Sequence, residues 1–153
     1  MKSKLIFSEY HKPSGVSTVV VRNKYGTFRS QASLHPDDSN YESSFFGCRI
    51  AEARCTIATL KEQRKIIKIK IKTLQDFEKT LKSQKSYNPY SFECCKLRKQ
   101  IYILEKEKCK IEKCISEILE NIKIAEVQRQ KSIDGLKKAL DKKEQPTLNE
   151  NEI

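Results

Sequence analysis

Side chains equipped for chemistry are unevenly spread along this 153-residue chain. Six cysteines (Cys48, Cys55, Cys94, Cys95, Cys109 and Cys114) and two histidines, both near the N-terminus, are the natural metal ligands. A zinc site wants ligands at short spacings converging on one point, and no Cys-x-x-Cys pair exists here. The cysteines read instead as small apolar fillers in a reducing compartment. The acids Glu105, Glu107 and Glu112 alternate with lysines in "LEKEKCKIEKC", as on a solvated helix face. The chain has no Gly-x-Ser-x-Gly, no phosphate-binding loop and no His-Glu-x-x-His. Nothing is placed to be activated, so the reading is a protein that is not an enzyme, with no metal and no cofactor.

Anion binding is better supported. Tyr87, Asn88, Phe92, Arg98 and Tyr102 cluster around one loop, with Phe77 just before it. Lys106 and Lys110 follow one helical turn apart. Rings that stack on a base, cations for phosphate and an amide for the base edge are what a nucleotide requires. The competing reading is that the rings only close the end of a core. Charge points the same way: 31 lysines and arginines stand against 20 acids, a formal net charge of +11. Residues 1–41 hold 6 basic and 3 acidic side chains, residues 42–141 hold 23 and 14, and the last twelve hold 2 and 3. The surplus therefore rides on the second region and favours anionic partners.

Three regions must position these groups. "GVSTVVVR" (Gly15–Arg22) is rich in β-branched residues, "RNKYG" offers Asn23 for a tight turn, and "YGTFRSQASL" resumes an alternating pattern. These runs predict a β-hairpin, and "KLIFSEY" (Lys4–Tyr10) is a candidate third strand, giving a β region over about 4–35. Pro36 ends the second run, "PDDS" supplies a turn, and Ser39-x-x-Glu42 has the form of a capping box. A helix is expected to begin between Ser39 and Gly47 and to span about 42–83. Its seam, at alternating steps of four and three, is Phe46, Ile50, Ala53, Ile57, Leu60, Arg64, Ile67, Ile71, Leu74, Glu78 and Leu81. Asn88-Pro89 breaks the pattern. A second seam over 91–141 runs through Cys94, Leu97, Ile101, Leu104, Lys108, Ile111, Ile115, Ile118, Ile122, Ala125 and Arg129.

A short loop makes the two helices antiparallel neighbours, setting Leu81 near Leu97, Leu74 near Leu104, Ile57 near Ile122 and Ile50 near Arg129. Arg64, a cation in an apolar seam, calls for a glutamate across the hairpin. Helix one carries a second stripe, Cys48, Ala51, Cys55, Ala58, Glu62, Ile66 and Ile69, preceded by Gly47. Small residues there admit a close neighbour, either the chain's own sheet or another protomer, and an oligomer is expected. The fold class is α+β: a small N-terminal antiparallel sheet plus a hairpin of two long helices in one domain over 1–141. A polar, loose tail follows at 142–153. No apolar run is long enough to cross a bilayer and no signal peptide is recognisable, so a cytosolic protein with no membrane partner is expected.

The stretch "RNKYGTFRSQASLHPDD" followed by "FFGCRIAEARCTIATLK" resembles the phage anti-Thoeris sponge family of the first type, closely over about residues 20–62 and more loosely over the two helices. The resemblance implies a protein that sequesters the cyclic ADP-ribose isomers made by Thoeris defence without degrading them. It also implies cyclic di- or trinucleotides at a second site, dimers assembling to a hexamer, and action in the host bacterial cytoplasm. Family pockets lie between protomers. By order along the chain, Phe77 would be the stacking ring and Asn88 the loop amide, with Arg29 and Arg54 on phosphate or ribose and the sheet delivering Arg22 and Arg29 to the protomer boundary. Tyr87 and Arg98 complete the tip group. Lys106 and Lys110 stand where the family has an arginine pair, and lysine lacks arginine's planar fork. The rival readings are a basic coiled-coil protein that binds nucleic acid and a phage structural or assembly component.

Overall fold

The structure, a computed structural model, describes residues 3–33 and 43–144. Three antiparallel strands come first: β1 (Lys4–His11), β2 (Val16–Asn23) and β3 (Gly26–Ser33), in the order β1-β2-β3. The third strand expected at Lys4–Tyr10 is β1. A single 3₁₀ turn over Lys12–Ser14 joins β1 to β2, with Gly15 at φ 61° taking the left-handed conformation that closes it. Lys24 and Tyr25 form the two-residue loop between β2 and β3, where the Asn23 side chain accepts the Tyr25 N–H at 2.9 Å. Ile6 is the extra residue where the β1 register shifts against β2.

Helix α1 (Ser44–Lys82) starts inside the expected interval, but its cap is Ser43, whose hydroxyl accepts the Phe46 N–H. The proposed capping box at Ser39 and Glu42, and the Pro36 turn, lie outside the described residues. Helix α2 (Phe92–Glu144) runs past the expected end at residue 141, and residues 145–153 lie outside the described set. At 1.5 Å per residue α1 is about 60 Å long.

Both faces of α1 are used, which fixes the layer order sheet, α1, α2. Every member of the two predicted seams is buried or half-buried. Ile57, Ile67, Ile71, Ile111, Ile115 and Ile122 belong to one continuous core. The register is the one the spacing predicts. Arg64 meets Glu112 at 3.8 Å, the glutamate across the hairpin that its seam position demands. Gln63 bonds Glu107, and Arg98 bonds Glu78. These exposed or half-exposed pairs fix alignment more than stability.

The small-residue face of α1 lies under the chain's own sheet. Val19, Ser17, Ala51, Cys55 and Thr59 are each at most 1% exposed. Cys55 Sγ lies 3.5 Å from the carbonyls of Val19 and Phe28, and Asn23 Nδ2 donates to Thr59 Oγ1 at 2.9 Å. The buried stripe thus passes through Thr59, with Ala58 only half-buried. Gly47 is required by this approach: a Cβ there would collide with Ser17 Oγ and stand 3.0 Å from Ser17 Cβ. The part of the stripe that the sheet covers, Ala51 and Cys55 above all, is consequently not a free surface for a second chain. Farther along, beyond the sheet, Ile69 stays 58% exposed.

Candidate functional site

The expected ligand-binding residues stand in separate groups. Arg22 and Arg29 lie on the sheet face that points away from α1, because the inward positions of β2 are taken by the buried Ser17, Val19 and Val21. Arg22 pairs with Thr27 across the strands and Arg29 with Val20, which makes the two arginines diagonal neighbours on one face. Arg22 Nε donates to Thr27 Oγ1 at 3.2 Å.

Arg54 sits at the joint between the layers. Its Nη1 donates to the Gln31 carbonyl at 2.7 Å, and its Nη2 reaches Glu126 at 3.3 Å. One guanidinium therefore ties β3, α1 and α2 together. Beside it opens a pocket of about 200 Å³ walled by Tyr10, Ser17, Phe46, Glu126, Arg129 and Ile133 among others. Spacing along the sequence carries no signal for this pocket, since it needs residues from all three strands and both helices.

The hairpin tip holds Phe77, Tyr87, Asn88 and Arg98. Arg98 Nη2 donates to the Tyr87 hydroxyl at 3.2 Å and its Nε to Glu78 at 3.4 Å, while Lys82 Nζ lies 3.1 Å from the same carboxylate. Tyr87 and Arg98 are thus brought together, but as parts of a brace across the tip with Glu78 and Lys82. Glu78 is the member of this brace that the residue types alone do not single out; its place as a polar break in the seam is the available signal. Asn88 Oδ1 accepts the Tyr90 N–H at 2.9 Å, and the Asn88 carbonyl accepts the Ser91 N–H, so this amide shapes the turn that leads into α2. Phe77 is 55% exposed. Lys106 Nζ sits 5.8 Å from the Tyr102 ring centroid, and Lys110 is exposed one turn on.

Lys82 first, with Arg98 adding to it, holds the Glu78 carboxyl below its ordinary value. A lowered pKa contributes stability above the unfolded-state value and loses it as pH falls through the folded one. Acidification through and below the carboxylate range is therefore expected to loosen the tip before the head. Amide exchange should quicken at Tyr87–Phe92 while β2 stays protected, and Glu78→Gln should remove the difference.

Burial, and secondarily Glu52, push the Cys55 thiol up from its ordinary value, which leaves it an unreactive filler. Among the described residues no three His, Cys, Asp or Glu side chains are grouped to hold a metal ion, and no helix is long and apolar enough to cross a membrane. Comparison of the chain with protein-family models, with curated proteins and with solved structures gives no match.

Proposed function

We propose that the protein is a non-enzymatic sponge for a cyclic nucleotide immune signal, holding cyclic ADP-ribose isomers of the Thoeris type and relieving host immunity by lowering the free signal. The sequence resemblance supports this reading, and one geometric observation gives it a form. The sheet-end arginines and the candidate stacking ring stand far apart, even though Arg98 lies at the tip: Arg54 and Phe77 are 23 residues apart on one helix, about 35 Å along its axis. No cyclic dinucleotide-sized ligand spans that distance. A site that uses both groups is therefore built from two chains, the tip of one against the sheet end of the other, and a dimer is the smallest functional unit. Assembly to a hexamer would repeat the contact, and Arg22 with Arg29 on the outer sheet face would take cyclic di- or trinucleotides as the second ligand class.

Reversible capture is tested by incubating the protein with signal and then denaturing it by heat. Intact ligand should return, and cleavage products in its place would sink the reading. Capture must also be tight, since a micromolar complex (about −8 kcal/mol) does not deplete a nanomolar signal. Phe77→Ala should weaken binding by about 1–3 kcal/mol through lost stacking. Its ring is exposed in the single chain, so the fold should be unchanged in far-UV circular dichroism. Normal binding by this variant rules out the tip as part of the site.

A further inference from the structure

The distal half of the hairpin, beyond the reach of the sheet, carries most of the charge: residues 61–112 hold 15 basic and 7 acidic side chains, a surplus of 8 out of 11. Along α2 that surplus is ordered. Phe92, Lys96, Lys99, Tyr102, Lys106 and Lys110 follow at steps of four, three, three, four and four, which returns to the starting direction after five turns. All six are exposed, Phe92 at 79% and Tyr102 at 63%. None of the four lysines has a carboxylate within ion-pair reach among the described residues. The nearby acid Glu107 is turned to Gln63.

From this stripe we infer a second binding function: the outer face of α2 is a track for single-stranded nucleic acid, about 27 Å long. The lysines follow the phosphates, and Phe92 and Tyr102 stack on bases. Single strands fit because a duplex hides the ring-facing surfaces of its bases. A lipid surface fits less well. The loop beside Phe92 is polar, with Ser83, Gln84, Ser86 and Ser91, and the exposed apolar side chains at the tip are the separate rings Phe77, Tyr90 and Phe92, with no aliphatic face beside them among the described residues. Lys106 Nζ lies 5.8 Å from the Tyr102 ring centroid, so a cation and a ring stand next to each other on this face.

The test is fluorescence anisotropy of the full chain with fluorescein-labelled dodecamers of uridylate and of thymidylate, run beside phosphatidylserine vesicles. Four phosphate contacts on a single strand give a log–log salt slope of about −3, an affinity loss of about 50-fold between 50 and 200 mM salt. Phe92→Ala and Tyr102→Ala should each weaken binding about 5- to 150-fold with the slope unchanged. Changing the four lysines to glutamine should flatten the slope while far-UV circular dichroism holds, since all four side chains are exposed. A ranking of uridylate over thymidylate, or the reverse, assigns the track to RNA or DNA. The inference is overturned if the dodecamers fail to bind at 50 mM salt or if vesicles bind in their place. It is equally overturned if ring and lysine variants bind like the parent. No cyclic signal enters these titrations, so the track and the sponge fail independently.

Discussion

Ala51→Glu is expected to unfasten the sheet from α1 at a cost of about 3–5 kcal/mol, the penalty for a buried charge without a partner. Ala51 is fully buried, in the middle of the face that β2 and β3 cover. A glutamate there would bury its carboxylate under the sheet, away from bulk solvent. Arg54, one turn on, already gives an Nη1 donor to the Gln31 carbonyl and an Nη2 donor to Glu126. Urea unfolding followed by circular dichroism measures the loss. Ala51→Ser, similar in size and uncharged, should keep most of the stability and so separate charge from volume. A glutamate variant within about 0.5 kcal/mol of the parent, the range of ordinary surface changes, would mean that the sheet does not pack on this face.

Ile133→Ala should cost about 2–5 kcal/mol, as for other buried isoleucines truncated to alanine. This residue marks a change of partner along α2. As far as Arg129 the helix packs on α1 through its heptad seam. Ile50 lies opposite that point, so only the first turns of α1 remain. Beyond it the regular seam position Leu136 is 52% exposed, while Ile133, off the seam, is 1% exposed and shares a pocket wall with Tyr10, Ser17 and Ala32. At this point α2 buries a side chain beside the end of the sheet and no longer along the seam. Leu136→Ala is the control and should stay within about 0.5 kcal/mol. Equal costs for the two variants would mean that the seam continues and the switch is wrong.

These two residues also divide what the sequence makes legible from what it does not. The antiparallel helices, their register and the Arg64–Glu112 pair follow from a repeat of 3.5 residues, because a heptad seam has few alternatives once a short loop joins its halves. The strands follow from β-branched alternation, and the small stripe around Ala51 and Cys55 signals a close neighbour on its own. Which neighbour, sheet or protomer, is a tertiary matter that no local pattern carries. Ile133 is beyond reach for the same reason: its burial depends on where the end of a three-stranded sheet falls beside a helix it does not adjoin in sequence. Among the candidate site residues, types and spacing placed the tip group at the tip. They could not reveal that Arg98 and Tyr87 bond each other, that Asn88 Oδ1 caps a turn, or that Arg54 fastens three elements.

The two ends of this molecule communicate only through a repeating seam, and that makes the arm a ruler. A heptad inserted into α1 opposite a heptad inserted into α2 would preserve every knob and hole on either side of the addition. It would carry the Tyr87–Arg98–Glu78 brace about 10 Å farther from the sheet. Head and tip could therefore diverge in spacing without any change in their own structure. Selection acting on reach, the gap between one group of cations and the other, would have a coordinate to move along in steps of seven. Single-residue insertions are barred from that path, since each rotates everything beyond it by about 100° and turns the seam out to solvent.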